Sequence, residues 1–491
     1  MKEFLKKSPY LFLTVVFVFT RLIYAYVGVE FDYSWVYKQW HLIDFDLMQT
    51  QLIKSLWYFH YQPPLFNFFV GLLAKLPSNL NAHVTHFTYL LMTLFSSWMI
   101  YSILTKLRVV KSISMIAGVY FLIMPEIVLY ENFLIQTWPS LFLLLSASWF
   151  LISYLQDEKL LYGSLFVWSL SFLCLTRSTF HHIYFFLVLL VFYFIRKHNV
   201  RDYFKAVSLP TLFLLIFMVK NFFLFNIFGV SSGLGSSLWK ITSKINKERL
   251  QKMYSTGEIS ETFMIDAVKP VSAYGDSFTR IPEQFKGVKV LTEEMKSTAV
   301  DTGEEFGINA GHYGYISIFN EYKKDGIQVM KKNLKLYILN VVKAFILFFQ
   351  PSWEHGWGIR KNQNTLAGYI DLFGLNSLRI KIERLIIPNG LSWPFKENVP
   401  VSSHFLIFFI YAYVVFVTLK KFVTAIKNKK FSNEHLLSLF FAGNIIYVAV
   451  VSNIIELSEN DRYRVMVDPL VLILFVYYIG TKIQKRFMIN E

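Results

Sequence analysis

The feature that most constrains this chain is an alternation of long apolar runs with short basic connectors. The first run, Pro9 to Val29, follows Met1-Lys2-Glu3-Phe4-Leu5-Lys6-Lys7 and is long enough to cross a bilayer, which takes about 20 residues. No small-residue cleavage site follows it, so the run is expected to remain as an anchor. Further spans are predicted near 84–105, 112–130, 138–155, 160–176, 178–196, 206–229, 402–420, 434–455 and 463–482. Lysine and arginine collect between them: Lys106, Arg108 and Lys111; Arg196, Lys197, Arg201 and Lys205; Lys420, Lys421, Lys427, Lys429 and Lys430; Lys482, Lys485 and Arg486.

Connectors of this kind stay in the cytoplasm, so the net charge of +16 records a membrane orientation and not a nucleic-acid partner. Charged residues make up 17% of the chain and apolar ones 54%, whereas soluble domains carry about 25% charge. The expected fold class is therefore an all-α polytopic membrane protein. With the N-terminus inside, every basic cluster falls inside only if Leu65 to Leu76, about 12 residues and too short to span, lies along or dips into the outer interface. Pro63 and Pro64 agree with that placement: proline lacks an amide hydrogen and suits the first turn, so WYFHYQPPLFNFF (57–69) reads as a polar platform that starts a short helix.

Three regions follow. Residues 1–229 form an N-terminal membrane module with its first outer loop at 30–83. Residues 230–400 form a mainly extracytoplasmic loop region with an interfacial or spanning helix near 334–350, and 401–491 return to the membrane. The single cysteine, Cys174, makes a disulfide within the chain impossible.

This threading gathers scattered polar residues on the outer face. Glu30 and Asp32 follow the first helix, His60 and Gln62 precede the prolines, and Glu126 and Glu131 end the third helix. Arg177, His181 and His182 sit at a turn, Lys220 and Asn221 near the outer end of a span, and Glu459, Arg462, Tyr463 and Arg464 before the last helix. Ionisable groups against hydrocarbon are costly, and those that persist line cavities or meet partners. Glu30 and Asp32 offer a proton acceptor, while Arg177, Lys220, Arg462 and Arg464 offer cations for phosphate oxygens. A base facing a phosphate clamp suits displacement of a lipid-linked phosphate leaving group. Blander roles stand beside these: solvated loop acids for Glu30 and Asp32, headgroup anchoring for Arg462 and Arg464, a packing partner for Arg21, a helix cap for Glu456. The His181-His182 pair reads as structural or interfacial. No Gly-rich phosphate loop is present, so nucleotide hydrolysis has no support.

The acid after the first helix, His60-Tyr61-Gln62-Pro63-Pro64-Leu65, and Glu459-Asn460-Asp461-Arg462-Tyr463-Arg464 followed by Asp468 and Pro469 resemble the GT-C glycosyltransferase superfamily. Its protein O-mannosyltransferases and aminoarabinose transferases, of the family 39 type, are the nearest in pattern. The resemblance implies a GT-C-like bundle of about 10 to 12 transmembrane helices with outer interfacial helices. It also implies a polyprenyl-phosphate sugar donor, a glycan, lipid or protein acceptor, and inversion at the anomeric carbon. It gives Asp32, with Glu30 as the other candidate, the role of base. Arg462 takes the donor phosphate, and His60, Glu131, Arg177, Lys220, Glu459 and Tyr463 join it as substrate-binding residues.

The chain departs from the pattern by two residues inserted between His60 and Pro63, by Glu30-Phe31-Asp32 where the family often has adjacent acids, and by Gln136-Thr137-Trp138-Pro139 where relatives place an acid before proline. Glu131 is the nearest substitute for that acid. No cofactor is required in this reading, and Glu126, Glu131 and the histidines leave a divalent metal open. A bacterial plasma membrane, with the active site outside, is the expected location. The competing expectations are a transporter or flippase for a lipid-linked saccharide, for which no repeated halves are seen, and a glycan polymerase or ligase.

Overall fold

The computed structural model describes residues 8–196, 200–267, 269–297, 307–352, 359–374, 401–430 and 432–489. Lys2, Lys6, Lys7, Lys197 and the 375–400 part of the expected outer region lie outside them. Among the described residues all named elements are helices, and extended pairing is confined to two isolated bridges. In chain order, the membrane module contains α1 (Pro9–Tyr26), α2 (Pro64–Ala74), α3 (Ser78–Lys106), α4 (Lys111–Ile123), α5 (Pro125–Glu131), α6 (Thr137–Asp157), α7 (Leu160–Thr176), α8 (His182–Arg196) and α9 (Val200–Phe225). The middle region includes α10 (Leu234–Thr242), α11 (Gly314–Lys332) and α12 (Leu334–Phe348). The C-terminal part has α13 (Val401–Lys427), α14 (Asn433–Ile455), α15 (Asn460–Val465) and α16 (Asp468–Ile489).

Six described helices are long and apolar enough to cross a membrane: α1, α3, α6, α9, the Phe405–Lys427 part of α13, and α14. A seventh is counted if α4 and α5, bent by 54° at Met124, act as one. Their flanks carry exposed apolar side chains, with Leu22 64%, Phe223 79% and Phe416 66% accessible, as a surface facing lipid requires. The chain is a helical membrane protein.

Several runs end where backbone chemistry, not hydropathy, dictates. Pro125 starts α5 because a proline suits the first turn and disrupts an interior one, so the expected 112–130 span is two helices. The 463–482 run likewise divides: Arg462 to Arg464 sit on α15, and α16 begins at Asp468 with Pro469 in its first turn. The 206–229 run stops at Phe225, followed by Asn226 at φ 56°, a left-handed conformation that asparagine tolerates. As the paired prolines predict, α2 starts at Pro64 and has 11 residues, a length of about 16 Å that is short of the roughly 30 Å hydrocarbon core.

The long helices alternate in direction and sort the polar groups to two ends. At one end, Gln156 donates to the Lys106 carbonyl at 2.9 Å and Asn433 donates to the Leu155 carbonyl. At the other, Arg177 meets Thr137 at 2.6 Å, and Tyr447 donates to the Thr179 carbonyl at 2.8 Å. Between them, Tyr184 to Asn444 at 2.6 Å and Trp149 to Ser102 at 2.9 Å are hydrogen bonds of the kind that join helices in lipid.

The middle region packs directly on the first loop. Ser232 donates its amide to the His60 carbonyl at 2.9 Å, and Lys54 reaches the Gly287 carbonyl at 3.1 Å. Gly235 lets α10 meet α11: a Cβ there would stand 1.8 Å from the Phe319 carbonyl oxygen. Helix α12, with 15 residues, is about 22 Å long and is tied at Tyr337 to the Ile454 carbonyl (2.6 Å) and at Asn340 to the Ile241 carbonyl (2.9 Å). It covers the arginine-bearing end of the bundle.

Candidate functional site

The first loop meets the chain that leaves α5. The Asp32 amide donates to the Asn132 carbonyl at 3.1 Å, and Asp32 and Phe133 form a parallel bridge. This fixes the Asp32 backbone while its side chain stays half-buried. One carboxylate oxygen accepts from the Ser34 amide (3.0 Å) and hydroxyl (2.6 Å). Its other oxygen has no hydrogen-bond partner among the described residues. Glu30 differs. Its backbone is clamped on both sides by Asn362, and its 65%-exposed carboxylate pairs with the exposed Lys361, so water screens it.

A second set lies between α7, α10, α14 and α15. Arg177, 2% exposed at the end of α7, donates to the Thr137 hydroxyl, and its guanidinium stands 4.6 Å over the Tyr463 ring. Tyr463 donates its hydroxyl to Glu456 at 2.7 Å, and Lys240 pairs with the other oxygen of Glu456 at 2.8 Å. Arg462 pairs with Glu459 at 2.6 Å. Trp40 lies 5.5 Å from the Lys240 ammonium, and His41 belongs to the same neighbourhood. Burial holds the His41 imidazole well below its ordinary value, helped by Arg462, Lys240 and Arg177. For Glu456, burial alone would raise the carboxyl. Lys240, Ser458 and Tyr463 outweigh it and hold the group below the usual carboxylate range.

Arg177, Lys240 and Arg462, with Lys244 beside them on the Leu457 carbonyl, thus face the carboxylates Glu456 and Glu459. Arg177 forms no ion pair among the described residues; burial, then Arg462, lower it to about 10, so it remains charged at neutral pH. A buried charge compensated by one hydroxyl and one aromatic ring is expensive. Arg462 Nε, His41 Nδ1 and Gln62 Oε1 are also buried without hydrogen-bond partners among the described residues, and buried polar atoms are ordinarily satisfied. The arrangement suits an anion with several acceptor oxygens.

On the other side of α15 runs an apolar furrow of about 510 Å³, walled by α4, α13 and α16. Ile116, Tyr120, Ile410 and Phe475 are among its walls, and Glu126, Arg464 and Asp468 line its polar part. Arg464 pairs with Asp468 at 2.9 Å and donates to Ser352 at 2.8 Å; Tyr411 donates to Asp468 at 2.6 Å. Arg464 Nε, Asp468 Oδ2 and Glu126 Oε2 are buried without partners among the described residues.

The remaining expected site residues lie apart from the arginine set. Glu131 is committed to Arg21, through bonds of 3.0 and 2.8 Å, and to Thr93 at 2.7 Å, so it anchors α1 to α5. His60 and Lys220 form their own buried group. The His60 ring bonds Ser232 at 2.9 Å, Lys220 donates to the Phe59 carbonyl at 3.1 Å, and burial, with Lys220 second, pushes His60 down to about 3. Among the expected residues, the structure therefore brings Arg177, Glu459, Arg462 and Tyr463 together. Glu456, Lys240, His41 and Trp40 complete that set. Glu456 was legible only as a cap, and the others had no spacing signal. Among the described residues no three His, Cys, Asp or Glu side chains are placed to share a metal ion. No protein-family model matches the chain, and comparisons with curated proteins and with solved structures give no match.

Proposed function

We propose that this protein is a membrane transferase of the GT-C kind that moves a sugar from a polyprenyl-phosphate donor to a glycan, lipid or protein acceptor on the outer face of a bacterial plasma membrane. The carrying observation is the apolar furrow whose polar part holds Arg464, two residues from Arg462 in the buried cation set. A lipid chain is matched by apolar walls, and its phosphate by arginines that hold several oxygens. The bundle of ten to twelve spans belongs to this proposal, with α7, α8 and α16 as further crossings.

The mechanism follows from the charges. Asp32 takes the proton of the acceptor hydroxyl as that oxygen bonds to the anomeric carbon. The bond from that carbon to the lipid-phosphate oxygen breaks on the opposite side, which inverts the centre. The lipid phosphate departs as an anion, stabilised by Arg462 and Arg177. Phosphate is a good leaving group without a strong general acid, and the chain's own cations answer its charge.

Mass spectrometry of cell lipids tests the reading. Cells lacking the protein should accumulate a polyprenyl-phosphate sugar, wild type should clear it, and correctly folded Asp32→Asn should not. Full clearance by Asp32→Asn would remove Asp32 from the chemistry, and no accumulation in the deletion would remove the donor class.

A further inference from the structure

At the end of the bundle remote from Arg177, a cavity of about 950 Å³ opens between the turn after α3, the last turns of α13, the start of α14 and α16. Among the described residues, Arg108, Lys420, Lys421, Lys430 and Lys482 line it against one carboxylate, Glu434. Lys420, Lys421 and Lys430 belong to one connector, and folding brings Arg108 and Lys482 to them from distant parts of the chain. Like charges held around a concavity raise its potential and favour an anion.

The cavity is built with some rigidity. Thr418 and Tyr478 share a 2.6 Å hydrogen bond at its wall, and Tyr477 donates to Glu434 at 2.9 Å. The Lys421 ammonium stands 4.4 Å from the Tyr478 ring centre and 5.0 Å from that of Tyr477, and Lys482 donates to the Tyr413 hydroxyl at 3.1 Å. Aromatic faces and hydroxyls thereby restrain two of the long cationic side chains, which lowers the ordering cost of binding. Arg108 closes α3 at φ 63°, a position that usually falls to glycine or asparagine. Nearby, Val423 is 49% exposed and Ile426 55%, so lipid tails can lie beside the same helix that presents Lys420 and Lys421.

We propose that this pocket binds a phosphate-bearing anion at the face of the membrane that carries the basic connectors. The shared chemistry is the phosphate group, supplied either by the headgroup of an acidic phospholipid or by a soluble diphosphate. The proposal stands apart from the transferase reading, and its test involves no sugar transfer.

Full-length protein in phosphatidylcholine nanodiscs is titrated with inorganic pyrophosphate by calorimetry. In parallel, phosphatidylglycerol retained after detergent exchange is measured by native mass spectrometry. The Lys420→Gln/Lys430→Gln pair, checked for unchanged thermal unfolding, is expected to weaken binding about tenfold, and Glu434→Gln to strengthen it, since each alters a charge at the same cavity. Pyrophosphate binding that the lysine pair weakens identifies the soluble source. Selective phosphatidylglycerol retention that it abolishes, without pyrophosphate binding, identifies the headgroup. The proposal is overturned if wild type shows neither behaviour, or if the lysine pair and Glu434→Gln both behave as wild type.

Discussion

Residue by residue, the polar groups of this chain separate by how their burial is compensated. Glu131 and Arg21 have side chains 1% and 9% exposed, and each is the other's counter-ion. Removing one partner of such a pair leaves an uncompensated buried charge, so Glu131→Ala is expected to lose about 3–5 kcal/mol in reversible denaturant unfolding in detergent, while Arg21→Met with Glu131→Leu recovers most of it. A titration gives a second residue-scale prediction. The His60 ring ordinarily titrates near 6.5 but is held neutral in the fold until about 3. Below 6.5 the unfolded chain binds a proton that the folded one refuses, so stability is full above that value and falls toward pH 3, by up to about 1.4 kcal/mol per pH unit. The stability advantage of wild type over His60→Asn should shrink as pH falls from about 7 to about 5; a constant difference would mean that the ring is not held neutral.

What was legible at this scale was a shared neighbourhood: threading by charge sets Arg177, Glu459, Arg462 and Tyr463 at one end of the bundle, and there they meet. The partnership of Arg21 with Glu131 was not. Both are lone ionisable groups in apolar runs, and sequence alone does not say which groups in adjacent helices face each other. Lys240 was equally opaque, because it reaches Glu456 from a region without membrane periodicity.

At the scale of elements, hydropathy located the helices and proline set several of their starts. The prolines at 63 and 64 announced α2 because the missing amide has a local meaning. The division of the 463–482 run is marked by Asp468-Pro469, a helix-start signal that the apolar residues on both sides, Val465 to Val467 and Leu470 to Phe475, mask from hydropathy. It matters for the site: with Arg462 and Arg464 on a separate short helix, one arginine joins the Arg177 set and the other lines the furrow. The α10–α11 contact carries its own test. Gly235→Ala puts a methyl group against the Phe319 carbonyl, and overpacking of this kind costs about 1–3 kcal/mol. Hydrogen exchange across 230–332 should speed up while α3 and α6 keep their protection. Unchanged exchange in α10 and α11 would contradict the close approach.

For the whole molecule, the alternation of helix direction puts basic connectors at one end and the acid–arginine groups at the other. Cys174 is buried, so a wild-type background suits reporter cysteines. Lys430→Cys should react with an impermeant maleimide only after the cytoplasmic side is opened, and Lys361→Cys in intact cells. Labelling of both from one side would break the topology on which the outer-face site depends.

The most direct measurement uses polyprenyl-phosphate sugars extracted from cells that lack the protein, with envelope glycan from the same cells as acceptor. Purified protein in nanodiscs is predicted to release polyprenyl phosphate in step with sugar appearing on the acceptor, and Asp32→Asn to lower that rate by about 10²–10⁴-fold. Passage of intact donor across a vesicle membrane without release of lipid phosphate, or an unchanged rate in Asp32→Asn, would contradict it.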